Sequence, residues 1–265
     1  MRRMFALVCF ALGCSGGIEG PAPSLTAAAN RLLPGASPAI VCNAQGDPSG
    51  GWLVDLTGDG FSPLPLDTVS GAEGLQMPSV ALAGPESYAL PDARVLFIDR
   101  TQLPLAMPTA NTAPDAKALQ AGSYDVTVTN PDGMQASLTA ALTIVPPPAV
   151  SGLVVLDSNG QPTGNRLCNN RAQTVVVFGS AFRTGSATSA SFVPASGATI
   201  AMPASAVSVK SALVINVSVP AGTLASMATP AGADVGVRVN DPDGCVAPWP
   251  GGSTAATVRV VTTCP

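Results

Sequence analysis

The sequence predicts an all-β protein that folds as two tandem sandwich domains. In Ser123–Gly133 the apolar side chains of Tyr124, Val126 and Val128 alternate with polar ones, a period of two that is typical of a half-buried strand. The strand runs into Asn-Pro-Asp-Gly, a turn sequence in which proline presets φ and glycine supplies a positive φ. The same strand and turn recur at Val235–Gly244, so we expect two like domains.

Composition favours short strands over helices. Only 11% of the 265 residues are charged and 4% are aromatic, whereas the chain holds 27 Gly and 26 Pro. Small β-forming residues between Gly and Pro turns are typical of sandwiches. The length allows two domains of ordinary size. A net charge of −4, without a basic patch, argues against nucleic acid as a partner.

Residues 1–13 have the features of a signal peptide. Two arginines precede the apolar run Met4–Leu12, which is too short to span a bilayer as a mature helix. The run leads into Ala-Leu-Gly-Cys, which resembles a bacterial lipobox, although leucine is usual where Ala11 stands. The resemblance implies lipidation of Cys14, followed by a flexible tether over residues 14–22. An ordinary secretory signal, with Cys14 a plain thiol, is the alternative.

The lipobox resemblance also implies a location. Ser15 follows the anchor cysteine, and serine at that position generally goes with the outer membrane in lipoproteins of Gram-negative bacteria. We therefore expect a protein held at the outer membrane or cell surface by the lipid on Cys14. A periplasmic or secreted protein is the alternative.

The first domain is expected over residues 23–147 and ends at a stiff proline linker, Pro146–Pro148. Its opening segment, Pro23–Leu33, is compatible with a strand or a short helix. The stretch 63–91 is predicted to be irregular, because prolines and glycines follow one another closely. The predicted strands are Trp52–Phe61, Arg94–Asp99, Ser123–Thr129 and Ser137–Val145.

The second domain is expected over residues 148–265. Short segments rich in Val, Ile and Thr are separated there by Gly, Pro and Asn/Asp turns, a spacing that indicates a β-sandwich. The predicted strands are Ala149–Leu156, Thr174–Phe182, Ser191–Val193, Ala206–Lys210, Ala212–Val219, Val235–Val239 and Ala255–Val261.

Two motifs occur in both halves. The first is a strand that ends in glycine and phenylalanine, LTGDGF and VFGSAF, which matches Gly58 with Gly179. The second is GSYDVTVTNPDG with its degenerate copy GADVGVRVNDPDG. Together they resemble the immunoglobulin-like IPT/TIG repeat, of the E-set type. The resemblance implies a two-sheet sandwich of about seven strands for each copy.

The resemblance also implies a role for one residue. Tyr124 resembles the tyrosine near the penultimate strand that hydrogen-bonds back to the main chain. Its counterpart, Val235, departs from that pattern. Members of the family serve as spacers, binding modules and interaction domains, and the fold does not fix one role.

The cysteines suggest crosslinks. Cys9 would leave with the signal and Cys14 would carry the lipid. An even number then remains in an oxidising compartment, which favours disulfides. Metal binding is disfavoured because the chain contains no Cys-x-x-Cys pair. The remaining cysteines are Cys42, Cys168, Cys245 and Cys264.

The implied topology favours one set of pairs. Cys168 and Cys264 should both lie at the bottom of the second sandwich, which favours Cys168–Cys264. Cys245 should lie at the top of that sandwich and Cys42 at the bottom of the first, where the Pro146–Pro148 linker brings them together. We therefore expect Cys42–Cys245 to crosslink the domains. Cys168–Cys245 with Cys42–Cys264 is the disfavoured alternative.

Catalytic chemistry is not indicated. The chain has no His, which removes the commonest general base and the commonest transition-metal ligand. It contains no GxSxG elbow, phosphate loop or dinucleotide motif, and Ser180 has no base near it in the sequence. We expect no enzyme activity, no cofactor and no metal site.

Calcium is the alternative to that expectation, since loop carboxylates are hard ligands. Neither candidate pair matches the EF-hand spacing, and Asp in such loops is more often a turn former. The candidate pairs are Asp55 with Asp59, and Asp241 with Asp243.

The favoured function is a non-enzymatic cell-envelope lipoprotein, expected to be monomeric. It would act as a spacer or as a binding and adhesion module for a protein or polysaccharide partner. Trp249 is the candidate contact, because an aromatic in a Pro/Gly loop can stack on a ligand, although packing on its own loop is the competing role. The alternative is an accessory subunit of a secreted hydrolase or envelope complex.

Overall fold

The computed structural model of the protein describes residues 21–44, 52–65, 75–110, 116–183, 188–241, 245 and 257–264. Their regular structure is β-strand apart from two single 3-10 turns, at Asp92–Arg94 and Ala204–Ala206. The first half contains β1 (Ser24–Asn30), β2 (Ala39–Cys42), β3 (Trp52–Asp59), β4 (Leu64–Pro65), β5 (Leu75–Gln76), β6 (Ser79–Ala83), β7 (Ser87–Ala89), β8 (Gln102–Ala106), β9 (Gly122–Thr129) and β10 (Gln135–Val145). The second half contains β11 (Ala149–Leu156), β12 (Arg166–Cys168), β13 (Gln173–Ser180), β14 (Ser189–Pro194), β15 (Ile200–Met202), β16 (Val207–Ser211), β17 (Val214–Val219), β18 (Ala233–Asn240) and β19 (Thr257–Val261).

The strands form two sandwiches. The first packs the sheet β1-β3-β8 against β2-β10-β9-β6-β7, and the second packs β11-β13-β17-β16 against β12-β19-β18-β14-β15. In each half one short strand pairs in parallel with the last strand, β2 with β10 and β12 with β19, whereas the other pairs are antiparallel. Within the described ranges, no sheet contains strands from both halves. The predicted all-β sandwich fold is confirmed.

The strand order is that of an immunoglobulin-like sandwich. Such a sandwich places strands A, B, E and D in one sheet and C, F and G in the other. In the second half, β11, β13, β17 and β16 take the places of A, B, E and D, while β14, β18 and β19 take those of C, F and G. The first half repeats this order without a full D strand.

Each sandwich has its own core, formed by the alternate inward-facing residues of both sheets. In the first, Val126 and Val128 of β9 meet Leu56 of β3 among the buried residues, and in the second Val237 of β18 and Val177 of β13 do the same. Full burial of each such side chain contributes about 1.5–3 kcal/mol. Two cores of mostly aliphatic side chains thus account for a chain so poor in aromatics.

The predicted strand Arg94–Asp99 is wrong as a continuous strand. The segment lies beside β8, where the N–H groups of Leu96 and Ile98 donate to Pro104 O and Gln102 O. Pro104 has no N–H to return a bond, so the ladder is interrupted. The segment occupies the edge position that β16 fills in the second half.

The prediction of an irregular stretch over 63–91 is also wrong. It contains β6, which lies inside a five-stranded sheet between β9 and β7. Val80 and Leu82 of β6 are buried and alternate with exposed residues, a period-two signal that the surrounding prolines obscure. The undecided opening segment Pro23–Leu33 contains a strand, β1, which pairs with β3.

The Gly–Phe motif has the same geometry in both halves. The N–H of Gly58 donates to Thr101 O, and the N–H of Gly179 donates to Leu213 O, both at 2.9 Å. A side chain at Gly179 would overlap the carbonyl oxygen of Ala149, and one at Gly58 would overlap that of Ser24. Glycine is therefore required, because a main-chain carbonyl of the neighbouring first strand, β1 or β11, lies where its side chain would be.

The residue before each motif phenylalanine adopts a left-handed conformation. It is Gly60 in the first half, at φ 74°, and Ala181 in the second, at φ 59°. Only glycine takes that conformation without a steric penalty of about 1–2 kcal/mol.

We expect Ala181→Gly to raise the free energy of unfolding by about 0.5–1 kcal/mol, measured by denaturant titration. The control Ala201→Gly, at an exposed position in β15, should lower it instead.

Tyr124 forms the predicted bond to the main chain. Its ring is fully buried, and its hydroxyl donates to the carbonyl oxygen of Gln120 at 2.9 Å. Burial, and then the negative charge of Glu86, raise the pKa of the Tyr124 phenol. Val235 is fully buried at the equivalent place in the second sandwich, where its apolar side chain cannot form such a hydrogen bond.

The hydroxyl of Tyr124 should contribute measurably to stability. Tyr124→Phe should lower the free energy of unfolding by about 1–2 kcal/mol, because it leaves the Gln120 carbonyl without its partner. Since the folded-state pKa is raised, the stabilisation is present below the ordinary pKa of about 10 and is lost as the pH rises through the raised value. Denaturant titrations across alkaline pH should show this component in the wild type, and in the control Tyr88→Phe, but not in Tyr124→Phe.

Candidate functional site

A disulfide joins the two sandwiches. Cys42, the last residue of β2, is bonded to Cys245, and their Cα atoms lie 5.6 Å apart. Both residues are fully buried. The second disulfide joins Cys168 to Cys264, whose Cα atoms also lie 5.6 Å apart, and it lies within the second half. These are the two pairs that the topology implied by the sequence favours.

Arg183 forms a second connection at the junction. The residue lies just after β13 in the chain, and its Nη2 donates to the carbonyl oxygen of Pro146 in the linker at 2.9 Å. Its Nη1 donates to Ala181 O at 2.6 Å. The Sγ atom of Cys245 lies 3.9 Å from the same Pro146 oxygen. The linker carbonyl thus lies between the disulfide and a guanidinium.

Asp241 anchors the segment that leads to Cys245. It is 4% exposed, its Oδ1 accepts from Thr188 Oγ1 at 2.7 Å, and its Oδ2 lies 3.9 Å from Arg183 Nε. Its N–H donates to Cys245 O at 2.9 Å. Removal of one partner from a buried charge pair is costly, because the other charge stays buried. The cluster therefore fixes Cys245 relative to the second sandwich.

Two asparagines that sequence reasoning missed brace the same region in each half. Strands β2 and β12 both end at a cysteine followed by asparagine, and the N–H groups of Asn43 and Asn169 donate to the last residues of β10 and β19. The side chains then bind the connections that lead to β9 and β18: Asn43 Nδ2 donates to Leu119 O, and Leu224 N donates to Asn169 Oδ1, both at 3.0 Å. The repeated Cys-Asn pair was the available signal.

The carboxylates considered for calcium are not brought together. Asp55 is held by Arg31 at 2.7 Å on the outer face of the first sandwich, and Asp59 accepts the N–H of Gly60. Asp241 belongs to the buried junction cluster. Among the described residues, no group of three or more His, Cys, Asp or Glu side chains could hold a metal ion.

Several predicted site residues lie outside the described residues: Cys14, Asp243 and Trp249. Lipidation of Cys14 and ligand contact by Trp249 stay predictions. Over the ranges that the structure covers, we find no helix with the length and apolarity needed to cross a membrane.

Comparisons with known proteins are sparse. No protein-family model matches the chain, and no curated protein gives a significant match. Among solved structures, the chain is similar to the N-terminal eight immunoglobulin domains of the Down syndrome cell adhesion molecule (DSCAM, isoform 1.30.30), at 11% identity and a TM-score of 0.26. That match covers 82% of this chain and 25% of the DSCAM chain, so this chain spans about a quarter of its length. The immunoglobulin-like topology follows from the strand order of this protein itself.

Proposed function

We propose that the protein is a non-enzymatic, monomeric lipoprotein of the cell envelope. In this proposal its two sandwiches form a rigid spacer that presents a binding or adhesion surface to a protein or polysaccharide. The observation that carries the proposal is the buried crosslink Cys42–Cys245. A sandwich pair joined only by a proline linker can hinge, whereas a pair joined also by a disulfide holds the loops of the second sandwich in a fixed position relative to the first.

The junction supports this role because its bonds converge from three parts of the chain. Arg183 reaches the linker at Pro146, and Asp241 holds the segment that carries Cys245. Beyond Cys245 the chain continues to Trp249, the proposed contact. Loops displayed on a rigid sandwich are common recognition sites. The anchor in this proposal is the lipid on Cys14.

Capture of the partner tests the binding role. Chemical crosslinking on intact cells should trap a partner with the wild-type protein, and Trp249→Ala should reduce the trapped fraction several-fold. Phe178→Ala is the matched control, because Phe178 is an aromatic of β13 that is 41% exposed. Equal capture by all three proteins would remove Trp249 as the contact. Stable copurification with a hydrolase would instead favour an accessory subunit.

The anchor is tested by mass mapping of the protein extracted from its native membrane. We expect a peptide that begins at Cys14 and carries a diacylglyceryl group. Cys14→Ser should move the protein from the membrane fraction to the soluble fraction. An unmodified Cys14, or an unchanged membrane fraction for the variant, would contradict the lipoprotein proposal.

A further inference from the structure

The charges of the chain are divided unevenly between its two halves. Residues 23–147 contain 11 Asp and Glu against 4 Arg and Lys, whereas residues 148–265 contain 4 against 6. The protein is acidic overall, but its second half carries a small excess of positive charge. Such an asymmetry is typical of proteins that bind a charged partner with one of their halves.

Three arginines lie on one surface of the second sandwich, the outer face of the sheet β12-β19-β18-β14-β15. Arg166 of β12, Arg238 of β18 and Arg259 of β19 each stand next to buried core residues in their strands, so their side chains point away from the core. We call this surface the arginine face. Asp234 is the one acidic residue in the described strands of the sheet.

Two of these arginines are direct neighbours across a ladder. Arg166 pairs with Arg259 between β12 and β19, and like charges at such places repel each other. Asp234 stands opposite Arg259 in the ladder β18–β19, but the Arg259 Nη2 donates to Ala231 O at 2.6 Å. Within the described ranges, no ion pair joins either arginine to a carboxylate. One carboxylate thus stands against two guanidinium groups at this end of the face.

Arg238 lies towards the other end of the arginine face. It is half-buried, its Nε is buried, and among the described residues its side chain has no hydrogen-bond or ion-pair partner. Moving a cation partly out of water without a counter-charge costs free energy. An anion bound to this guanidinium would offset that cost.

The surroundings of Arg238 are polar. Ser191 lies directly opposite it, and the Ser191 Oγ accepts from Asn240 Nδ2 at 3.1 Å. None of the exposed large apolar side chains of the described residues lies in this sheet. The centres of protein interfaces are enriched in such side chains, membrane insertion needs them, and single-stranded nucleic acid stacks on aromatics. Hydroxyl and amide groups beside guanidinium groups instead suit the hydroxyls and carboxylates of a sugar chain.

The first sandwich has no arginine at the matching places. The ladders align the two halves residue by residue, and each arginine then falls on an uncharged residue. The matched pairs are Arg166 with Ile40, Arg238 with Thr127, and Arg259 with Thr143. A sandwich of this topology therefore folds without these arginines, and their presence in the second half calls for another reason.

We propose that the arginine face binds an acidic polysaccharide. Arg238 lies four residues along β18 from the place opposite Arg259, which separates the two ends of the face by about 13 Å. One small anion cannot reach both ends, whereas a polymer with repeated carboxylates can, and guanidinium groups bind carboxylates through paired hydrogen bonds. The inference rests on the proposed binding role and narrows the partner to a polysaccharide. It does not depend on the lipid anchor or on Trp249.

The test titrates the full chain, isotope-labelled for NMR, with polygalacturonate. Amide signals of Ser191, Arg238 and Arg259 should change and saturate, and the affinity should fall as salt is added. Arg238→Thr, which introduces the residue that the first sandwich has there, should weaken binding about tenfold, the typical loss for one charge-assisted hydrogen bond. Asp234→Asn should instead strengthen binding several-fold, because it removes the one repelling charge from the face.

Lys210→Thr is the matched control. It removes the same charge from an exposed position in β16, which belongs to the other sheet of the second sandwich, and it should leave the affinity unchanged. Methyl-esterified polygalacturonate has the same sugars without the charges and should not saturate the signals. Polyglutamate, an acidic peptide chain, should bind more weakly than polygalacturonate at equal carboxylate concentration.

An absence of saturable changes in the wild type would overturn the proposal. Equal weakening by Lys210→Thr and Arg238→Thr would also overturn it, since binding would then follow net charge alone, and so would equal affinity for polyglutamate. The unchanged spectrum of Arg238→Thr away from the face shows that the variant is folded. A partner captured on intact cells, together with no binding of polygalacturonate, would keep the binding role and reject an acidic polysaccharide as the ligand.

Discussion

Gly179→Ala is expected to lower the stability of the second sandwich by at least about 3 kcal/mol, at or beyond the upper end of ordinary overpacking. The new Cβ would overlap the carbonyl oxygen of Ala149 and would lie 2.5 Å from Cζ of Phe182. Neither neighbour can move cheaply. The clashing atom of Ala149 is a main-chain oxygen at the start of β11, and Phe182 is only 3% exposed in a packed core. Denaturant titration followed by circular dichroism measures the loss.

Gly58→Ala should have the same effect on the first sandwich, where the new Cβ would overlap the carbonyl oxygen of Ser24. Gly35→Ala is the control, because no atom lies within 4 Å of the added Cβ and the position is exposed. We expect the control to be neutral, or more stable by up to about 1 kcal/mol through the unfolded chain. A Gly179→Ala protein as stable as the Gly35→Ala protein would show that β11 can move away from β13.

The Gly–Phe motif illustrates what could be read from the sequence. A repeated glycine at a fixed distance before a buried phenylalanine pointed to equivalent strands, and the structure pairs both glycines with the first strand of their sandwich, in the ladders β1–β3 and β11–β13. The strand of Tyr124 was predictable from its alternation, and its bond to the main chain was implied by the family resemblance, although Val235 stands at the matching place in the second copy. Repetition is informative because two copies of one fold impose the same local constraints twice.

The errors arose where local signals conflict with tertiary context. Arg94–Asp99 has strong β propensity, but the proline in the neighbouring strand removes the donor that a ladder needs. In β6 the local signal was too weak instead of too strong. Prolines and glycines close to it on both sides suggested a loop, but the burial of its core-facing residues favours a strand. Neither effect is visible until the partner strand is known.

The disulfide at the junction could be predicted from the sequence, whereas the polar contacts around it could not. The pairing of Cys42 with Cys245 followed from where an immunoglobulin-like topology puts the ends of its strands. The buried contacts of Arg183, Thr188 and Asp241 did not, because residues far apart in sequence meet there only when two loops and a linker converge. Asp241 was considered as a calcium ligand, and its charge is instead directed at Thr188 and Arg183.

Removal of the junction disulfide is expected to uncouple the two sandwiches. In the double variant Cys42→Ala and Cys245→Ala, the free energy of unfolding should fall by about 2–4 kcal/mol, because the unfolded chain is no longer constrained over a separation of 203 residues. Alanine is the suitable replacement, since both positions are fully buried and burying a serine hydroxyl there would add a desolvation cost. NMR relaxation should then report separate tumbling times for the two halves, where the wild type shows one.

The double variant Cys168→Ala and Cys264→Ala separates stability from coupling. That disulfide closes 96 residues within the second half, so its loss should destabilise the second sandwich by a similar amount. It should leave the common tumbling time unchanged, because Cys42–Cys245 and the bond from Arg183 to Pro146 still join the halves. Common tumbling in both double variants would mean that the contacts of Arg183 and Asp241 hold the junction without the crosslink, and the disulfide would then stabilise each fold without setting their relative position.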